Sequence, residues 1–265
     1  MRRIKQLFEK KNKNVLNVYC TAGYPQLNST VEVMAALQEN GVDLIELGMP
    51  YSDPLADGPV IQASGLTALH NGMTIVKLFE QLDGFREKIS VPVVLMGYLN
   101  PILQYGFDAF CAQAAKHGID GLIIPDIPMH EYESHYKEII NRWGLDFIFL
   151  VTPETSEERI RKLDALSSGF LYAVSSSSIT GSDKQFAPVE LYLQRLERLN
   201  LSNPVLVGFG IRDRKTFDSA CRYAAGAIIG TAYIRSLDGE GSIAERTKKF
   251  LRSITDSPQA IAVPT

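Results

Sequence analysis

What this chain lacks narrows its function before any motif is read. It contains no run of about 18 apolar residues, so no stretch has the length and character of a membrane-crossing helix. Lys and Arg total 27 against 30 Asp and Glu and are scattered, which leaves no basic face for nucleic acid. The one basic cluster, Lys10, Lys11 and Lys13, reads as the solvated end of a helix. Only three cysteines occur, Cys20, Cys111 and Cys221, odd in number and far apart; this argues against a disulfide framework and for a reducing compartment. The N-terminal residues carry no apolar signal core, and a cytoplasmic location is the expectation.

Chemical absences are equally informative. The first apolar run is followed by Thr21-Ala22-Gly23-Tyr24-Pro25, not by the glycine-rich loop of a dinucleotide site. None of the 13 lysines falls in an apolar strand candidate, which leaves a Schiff-base aldolase without its nucleophile. His70, His117, His130 and His135 all fall on helical stretches or their ends, so no metal is expected.

What is present is a repeated pattern. Eight short apolar runs occupy residues 15–20, 42–47, 91–96, 121–125, 147–151, 170–174, 204–208 and 227–230. Strands covered on both faces read this way. Between them lie segments with 3.6-residue periodicity that end in Asn40-Gly41, His117-Gly118 and Trp143-Gly144, as helix C-caps do. An unbroken βα series predicts one (β/α)8 TIM barrel with an extra N-terminal helix, and a doubly wound open sheet fits less well. The expected domain is 1–265, with the barrel proper at about 14–252 and a loose tail at about 253–265.

Chemistry in such a barrel belongs at the carboxyl ends of the strands. Residues 46–59 read ELGMPYSDPLADGP, so a carboxylate closes the second strand and a stiff loop carries two more acids. Val42, Leu44 and Glu46 share one strand face; if that face is the barrel interior, Glu46 stands at its mouth. An ionised carboxylate among aliphatic groups must find a partner, raise its pKa or do chemistry. Asp57 follows in the loop and could face the same cavity. Two acids in unlike surroundings are suited to acid–base catalysis. The competing readings are a structural Glu46 paired with an arginine and an Asp57 that serves only as a turn or cap residue.

Glycines cluster after the last two strands, as Gly208-Phe209-Gly210 and Gly230-Thr231. Loops at these positions often bind phosphate, because glycine lets backbone N–H groups approach the anion. The hydroxyl-rich stretch at 175–182, after the sixth strand, has the composition of a mobile lid and equally of an ordinary loop.

With these residues in view, the chain resembles the tryptophan synthase α-subunit family. The motif at 46–59 carries most of the likeness, supported by LMGYLNP at 95–101, PDIP at 125–128, Thr180-Gly181 and GFGI at 208–211. The resemblance implies retro-aldol cleavage of indole-3-glycerol phosphate to indole and glyceraldehyde 3-phosphate. It places the catalytic acids on Glu46 and Asp57, and the phosphate site on Gly181, Phe209, Gly210, Gly230 and Thr231. The indole pocket falls on Tyr19, Ile61, Met96, Ile123 and Tyr172, and Thr180 matches the lid residue. The loop 51–56 and the turn at 99–101 are expected to meet a partner, with Asp53, Pro54, Asn100 and Pro101 at the contact. That partner is a β subunit in an α2β2 assembly; pyridoxal phosphate belongs to it, and the α subunit binds no cofactor. The strand-six loop carries serines where many members have an arginine. Other readings are a different phosphate-binding barrel lyase or isomerase, and a catalytically silent barrel that only activates its partner.

Overall fold

The computed structural model describes residues 2–174, 186–208 and 210–255. Helix α1 (Arg3–Lys10) precedes strand β1 (Val15–Thr21), followed by α2 (Thr30–Glu39), β2 (Leu44–Gly48), α3 (Pro59–His70) and α4 (Ile75–Gln81). Next come β3 (Val93–Met96), α5 (Leu99–Tyr105), α6 (Phe107–Lys116) and β4 (Gly121–Ile123). The helical stretch after β4 consists of α7 (Met129–Glu131), a π-helical turn (Tyr132–Tyr136) and α8 (Lys137–Arg142). Then follow β5 (Asp146–Phe147), β6 (Leu150–Val151), α9 (Glu157–Leu166), β7 (Leu171–Val174) and α10 (Phe186–Arg198). The series ends with β8 (Val205–Gly208), α11 (Arg214–Tyr223), β9 (Gly226–Ile229), α12 (Thr231–Ser236) and α13 (Ile243–Thr255).

The strands are parallel and ordered β5-β4-β3-β2-β1-β9-β8-β7-β6. The run at 147–151, expected to be one strand, is interrupted because its two halves serve different neighbours. Ile148 N–H donates to the Leu122 carbonyl at 3.0 Å, while Tyr172 N–H donates to the Phe149 carbonyl at 3.0 Å. That single crossing joins the two ends of the sheet and closes an eight-position (β/α)8 barrel.

Alternation along each strand divides the core in two. Val15, Leu44, Val94, Ile123, Ile148, Phe170, Leu206 and Ile228 fill the barrel interior. Ile45, Leu47, Leu95, Leu122, Val207 and Ile229 face outward under the helices. Each buried aliphatic side chain contributes roughly 1.5–3 kcal/mol. Val42, expected to share the inner face with Leu44, lies before β2 and packs in the outer layer.

Helix α1 closes the amino end of the barrel. Ile4 is fully buried in the inner cluster, with Leu7 and Phe8 packed against it. Arg2 pairs with Asp146 at 2.7 Å and Arg3 with Asp120 at 3.0 Å, which anchors the start of the helix beside β4 and β5. Lys11 is not a purely solvated helix end, since it reaches Asp43 at 2.6 Å. The expected caps are present: Gly41, Gly118 and Gly144 follow α2, α6 and α8 with φ of 85°, 81° and 70°. At the other end α13 continues to Thr255, so residues 253–255 are helical rather than loose; 256–265 lie outside the described residues. No described helix is long and apolar enough to cross a membrane.

Candidate active site

Because Leu44 faces the barrel interior and Ile45 and Leu47 face the helices, Glu46 must also project inward, near the carboxyl end of β2. It is 1% exposed. Burial disfavours its charged form and raises its pKa from 4.5 to about 8, with Asn17 pulling it down and Asp57 pushing it further up. Its hydrogen-bond partner is an amide, not an arginine: Asn17 Nδ2 donates to Oε2 at 3.3 Å. The reading of Glu46 as half of an arginine ion pair therefore loses its partner.

Asp57 does not cap α3. Gly58 is the N-cap and Pro59 opens the helix, while the Asp57 carbonyl accepts from Gln62 Nε2 at 2.8 Å. Its carboxylate is freed from a capping role and is half-buried. Burial raises its pKa, and a hydrogen bond from the Tyr98 hydroxyl lowers it again. The same hydroxyl oxygen accepts from Ala56 N–H at 2.9 Å, which ties the loop to the start of α5.

Two tyrosines enclose the acids. Tyr19 on β1 lies in register with Glu46, and Tyr172 on β7 enters from across the barrel. Both phenols are buried and held well above their ordinary pKa, first by desolvation and then by the charges of both Glu46 and Asp57. The four groups therefore share one chamber. Met96 and Ile123 stand in register on β3 and β4, at the same end. Ile61 on α3 reaches the Tyr19 side: a Cβ on Gly230 would lie 3.4 Å from Ile61 Cδ1 and 3.5 Å from Tyr19 Cβ.

The expected anion seat is described only in part. Gly230 is the N-cap residue of α12 and Thr231 its first residue. Gly210 follows β8 with φ of 76° in an exposed turn. Since β8 and β9 are neighbours, these turns share one stretch of the barrel rim, beside Tyr19. Phe209, Thr180, Gly181 and the stretch 175–182 lie outside the described residues.

The loop after β2 carries the expected contact residues. Asp53 and Asn100 are exposed, Pro54 and Pro101 half-buried, and Leu55 is 86% exposed. Residues 99–101 form the first turn of α5 rather than a free turn, because the Asp126 carboxylate accepts from Leu99 N–H at 2.9 Å. Asn100 Nδ2 donates to the Tyr51 hydroxyl at 3.1 Å, and the Tyr51 ring lies 5.4 Å from that of Tyr98.

Two residues at the acids were absent from the sequence reading, Asn17 and Tyr98. Asn17 had a signal, a lone amide two residues before Tyr19 in an apolar run; Tyr98 sat inside a quoted motif without an assigned role. Among the described residues no three His, Cys, Asp or Glu side chains gather as a metal site. A cavity of about 180 Å³ beside α9, lined by Phe149, Arg159 and Leu163 among others, contains none of the site residues.

Residues 5–261 match the family model described as tryptophan synthase alpha chain. The tryptophan synthase alpha chain of Flavobacterium johnsoniae is 54% identical over 243 residues, 91% of this chain and 96% of that protein. The one from Parabacteroides distasonis is 49% identical over 96% of this chain and 99% of its own length. Among solved structures, tryptophan synthase subunit alpha from Legionella pneumophila superposes with a TM-score of 0.87 at 33% identity, covering 96% of this chain and 97% of that one. A tryptophan synthase complex from Pyrococcus furiosus includes a chain with a TM-score of 0.82 at 34% identity, covering 92% and 98% respectively.

Proposed function

We infer the roles of individual residues from a premise now in place: this chain belongs to the tryptophan synthase alpha chain family. Its reaction is the cleavage of indole-3-glycerol phosphate to indole and glyceraldehyde 3-phosphate. The bond to be broken joins indole C3 to a carbinol carbon. A proton delivered to C3 makes an indolenine cation. Removal of the carbinol O–H proton then releases the side chain as an aldehyde, and the bonding pair restores the aromatic ring.

Glu46 carries both proton movements. With its pKa near 8 it is largely protonated at neutral pH, so it can donate to C3 first. The resulting carboxylate then takes the carbinol proton, and the residue ends as it began. Asp57 accepts the indole N–H and stabilises positive charge as it develops on the ring. The Tyr98 hydroxyl favours the ionised form that this task needs. The aromatic and aliphatic walls, Tyr19, Met96, Ile123, Tyr172 and Ile61, take the indole ring, with the phosphate seated at the Gly210 and Gly230 turns. Gly181, Phe209, Thr231 and Thr180 complete that seat and its lid.

The chain works beside a β subunit in an α2β2 complex and passes indole to it. Pyridoxal phosphate belongs to that subunit, and the α chain itself uses none. The exposed Leu55, with Asp53, Pro54, Asn100 and Pro101, supplies the contact, and the cytoplasm is the site of action.

The buried Glu46 in a chamber with Asp57 is the observation that carries this reading. Purified chain supplied with indole-3-glycerol phosphate should release indole without any partner, faster when a β subunit is added. No release under either condition would leave a catalytically silent activating barrel instead.

A further inference from the structure

One polar side chain at the catalytic end has no task in the mechanism above. Asn17 is fully buried on the inward face of β1, in register with Leu44 on one side and Ile228 on the other. Both neighbours belong to the apolar interior. An amide placed there loses its water and regains little unless it is fully hydrogen-bonded. Only half of this one is: Nδ2 donates to Glu46 Oε2, and the buried Oδ1 has no hydrogen-bond partner among the described residues.

We propose that Asn17 is a positioning residue for Glu46, whose amide serves both protonation states of the carboxyl by turning end for end. The proposal rests on Glu46 being the proton carrier. Such a residue alternates between acceptor and donor in every turnover. Aspartate or arginine beneath it would suit only one state, whereas an amide offers N–H to a carboxylate and C=O to a carboxylic acid. A second partner on Oδ1 would lock the amide in one orientation. None is present among the described residues, and in either orientation one polar end meets Glu46 while the other meets the same apolar layer. The two orientations therefore cost about the same, and the proton on Glu46 selects between them. Nδ2 toward Oε2 is the orientation that suits the ionised state.

The other titratable groups close to Glu46 are Tyr19 from β1, Asp57 from the loop after β2 and Tyr172 from β7, with Cys20 next to them on the outward face of β1. Burial holds both phenols and the Cys20 thiol in their neutral forms, which leaves Asp57 as the one other carboxyl group among these neighbours. Asn17 is the contact that opposes both burial and Asp57 in setting the acidity of Glu46.

The test is the pH profile of kcat/KM for Asn17→Leu, whose apolar side chain suits the surrounding layer. Asn17→Leu removes a hydrogen bond from both states, but the one to the charged carboxylate is the stronger, so the alkaline limb, where Glu46 loses its proton, should move upward by about one pH unit. A purely structural role for Asn17 would lower the whole curve or the melting temperature and leave the limb in place; that result overturns the proposal. Should Asn17→Leu fail to fold, the wild-type protein still decides. The side-chain amide resonances of Asn17, followed by 15N–1H NMR from pH 6 to pH 9.5, should shift with the midpoint of the alkaline limb. Resonances that do not move across this range overturn it. Glu46→Gln separates this proposal from the one beneath it: retained turnover there removes Glu46 from the chemistry, whereas an inactive Glu46→Gln with an unmoved Asn17→Leu limb removes only Asn17.

Discussion

The phenolic oxygen of Tyr19 occupies the space a side chain at position 48 would need: a Cβ on Gly48 would lie 2.1 Å from it. Tyr172 stands in the same relation to Gly208, where the nearest ring atom would be 2.2 Å from the added carbon. Each ring crosses the adjacent strand at a glycine and reaches the acid chamber. Gly48→Ala should push Tyr19 off its position. Overpacking of this kind costs about 1–3 kcal/mol, readable by urea denaturation, and indole release should fall with it. Unchanged stability and turnover would mean the ring is not held there.

Tyr98 is expected to set the working range of Asp57. Tyr98→Phe removes the hydrogen bond that favours the ionised carboxylate, so burial acts unopposed and the Asp57 pKa rises. Because the ionised form is the active one, the acidic limb of kcat/KM should move upward. A hydrogen bond to a charged group is worth about 1.5–3 kcal/mol, which corresponds to roughly one to two pH units. The pH profile of indole release measures this directly.

Glu46 should also reveal itself in stability. Its pKa is near 4.5 unfolded and about 8 folded, so between these values the native state holds a proton the unfolded state has released. Unfolding free energy should therefore fall as pH rises from about 4.5 to about 8. Glu46→Gln removes this titration. It should be more stable than wild type at pH 9 by roughly 2–4 kcal/mol, with the gap closing toward pH 5. Denaturation of both proteins at the two pH values provides the comparison; a constant difference would contradict the burial of an ionisable group at this position.

Leu55 gives the partner contact a simple test. At 86% exposure it is the most exposed large apolar side chain described, in the loop that leads to Asp57. Leu55→Ser should weaken association with a β subunit by about tenfold, since a large apolar side chain covered by a partner is worth about 1–2 kcal/mol. Indole release by the isolated chain should not change. Titration of β subunit against activity reads both quantities.

The order of strands and helices was legible because each strand is buried on both faces and so reads as an apolar run. The caps were legible for an equally local reason, as with Gly41 after α2. Barrel closure was not. Residues 147–151 look like one strand, and only the two neighbours competing for their backbone groups divide it into β5 and β6. The π-helical turn at Tyr132–Tyr136 likewise has no local signature that we can identify. Glu46 was readable from its odd place in an apolar run, but the environment of Asp57 was not. Its dependence on Tyr98 spans two βα units, and no spacing within the motif at 46–59 encodes it.

The central claim is that the Glu46 carboxyl moves the protons. Single-turnover release of indole by Glu46→Gln, beside the affinity of the same protein for substrate, tests it most directly. The account predicts a loss of at least about 10²–10⁴-fold in rate with affinity changed little, because Gln preserves the shape and the Asn17 contact but cannot exchange a proton. Turnover within a few fold of wild type would contradict it.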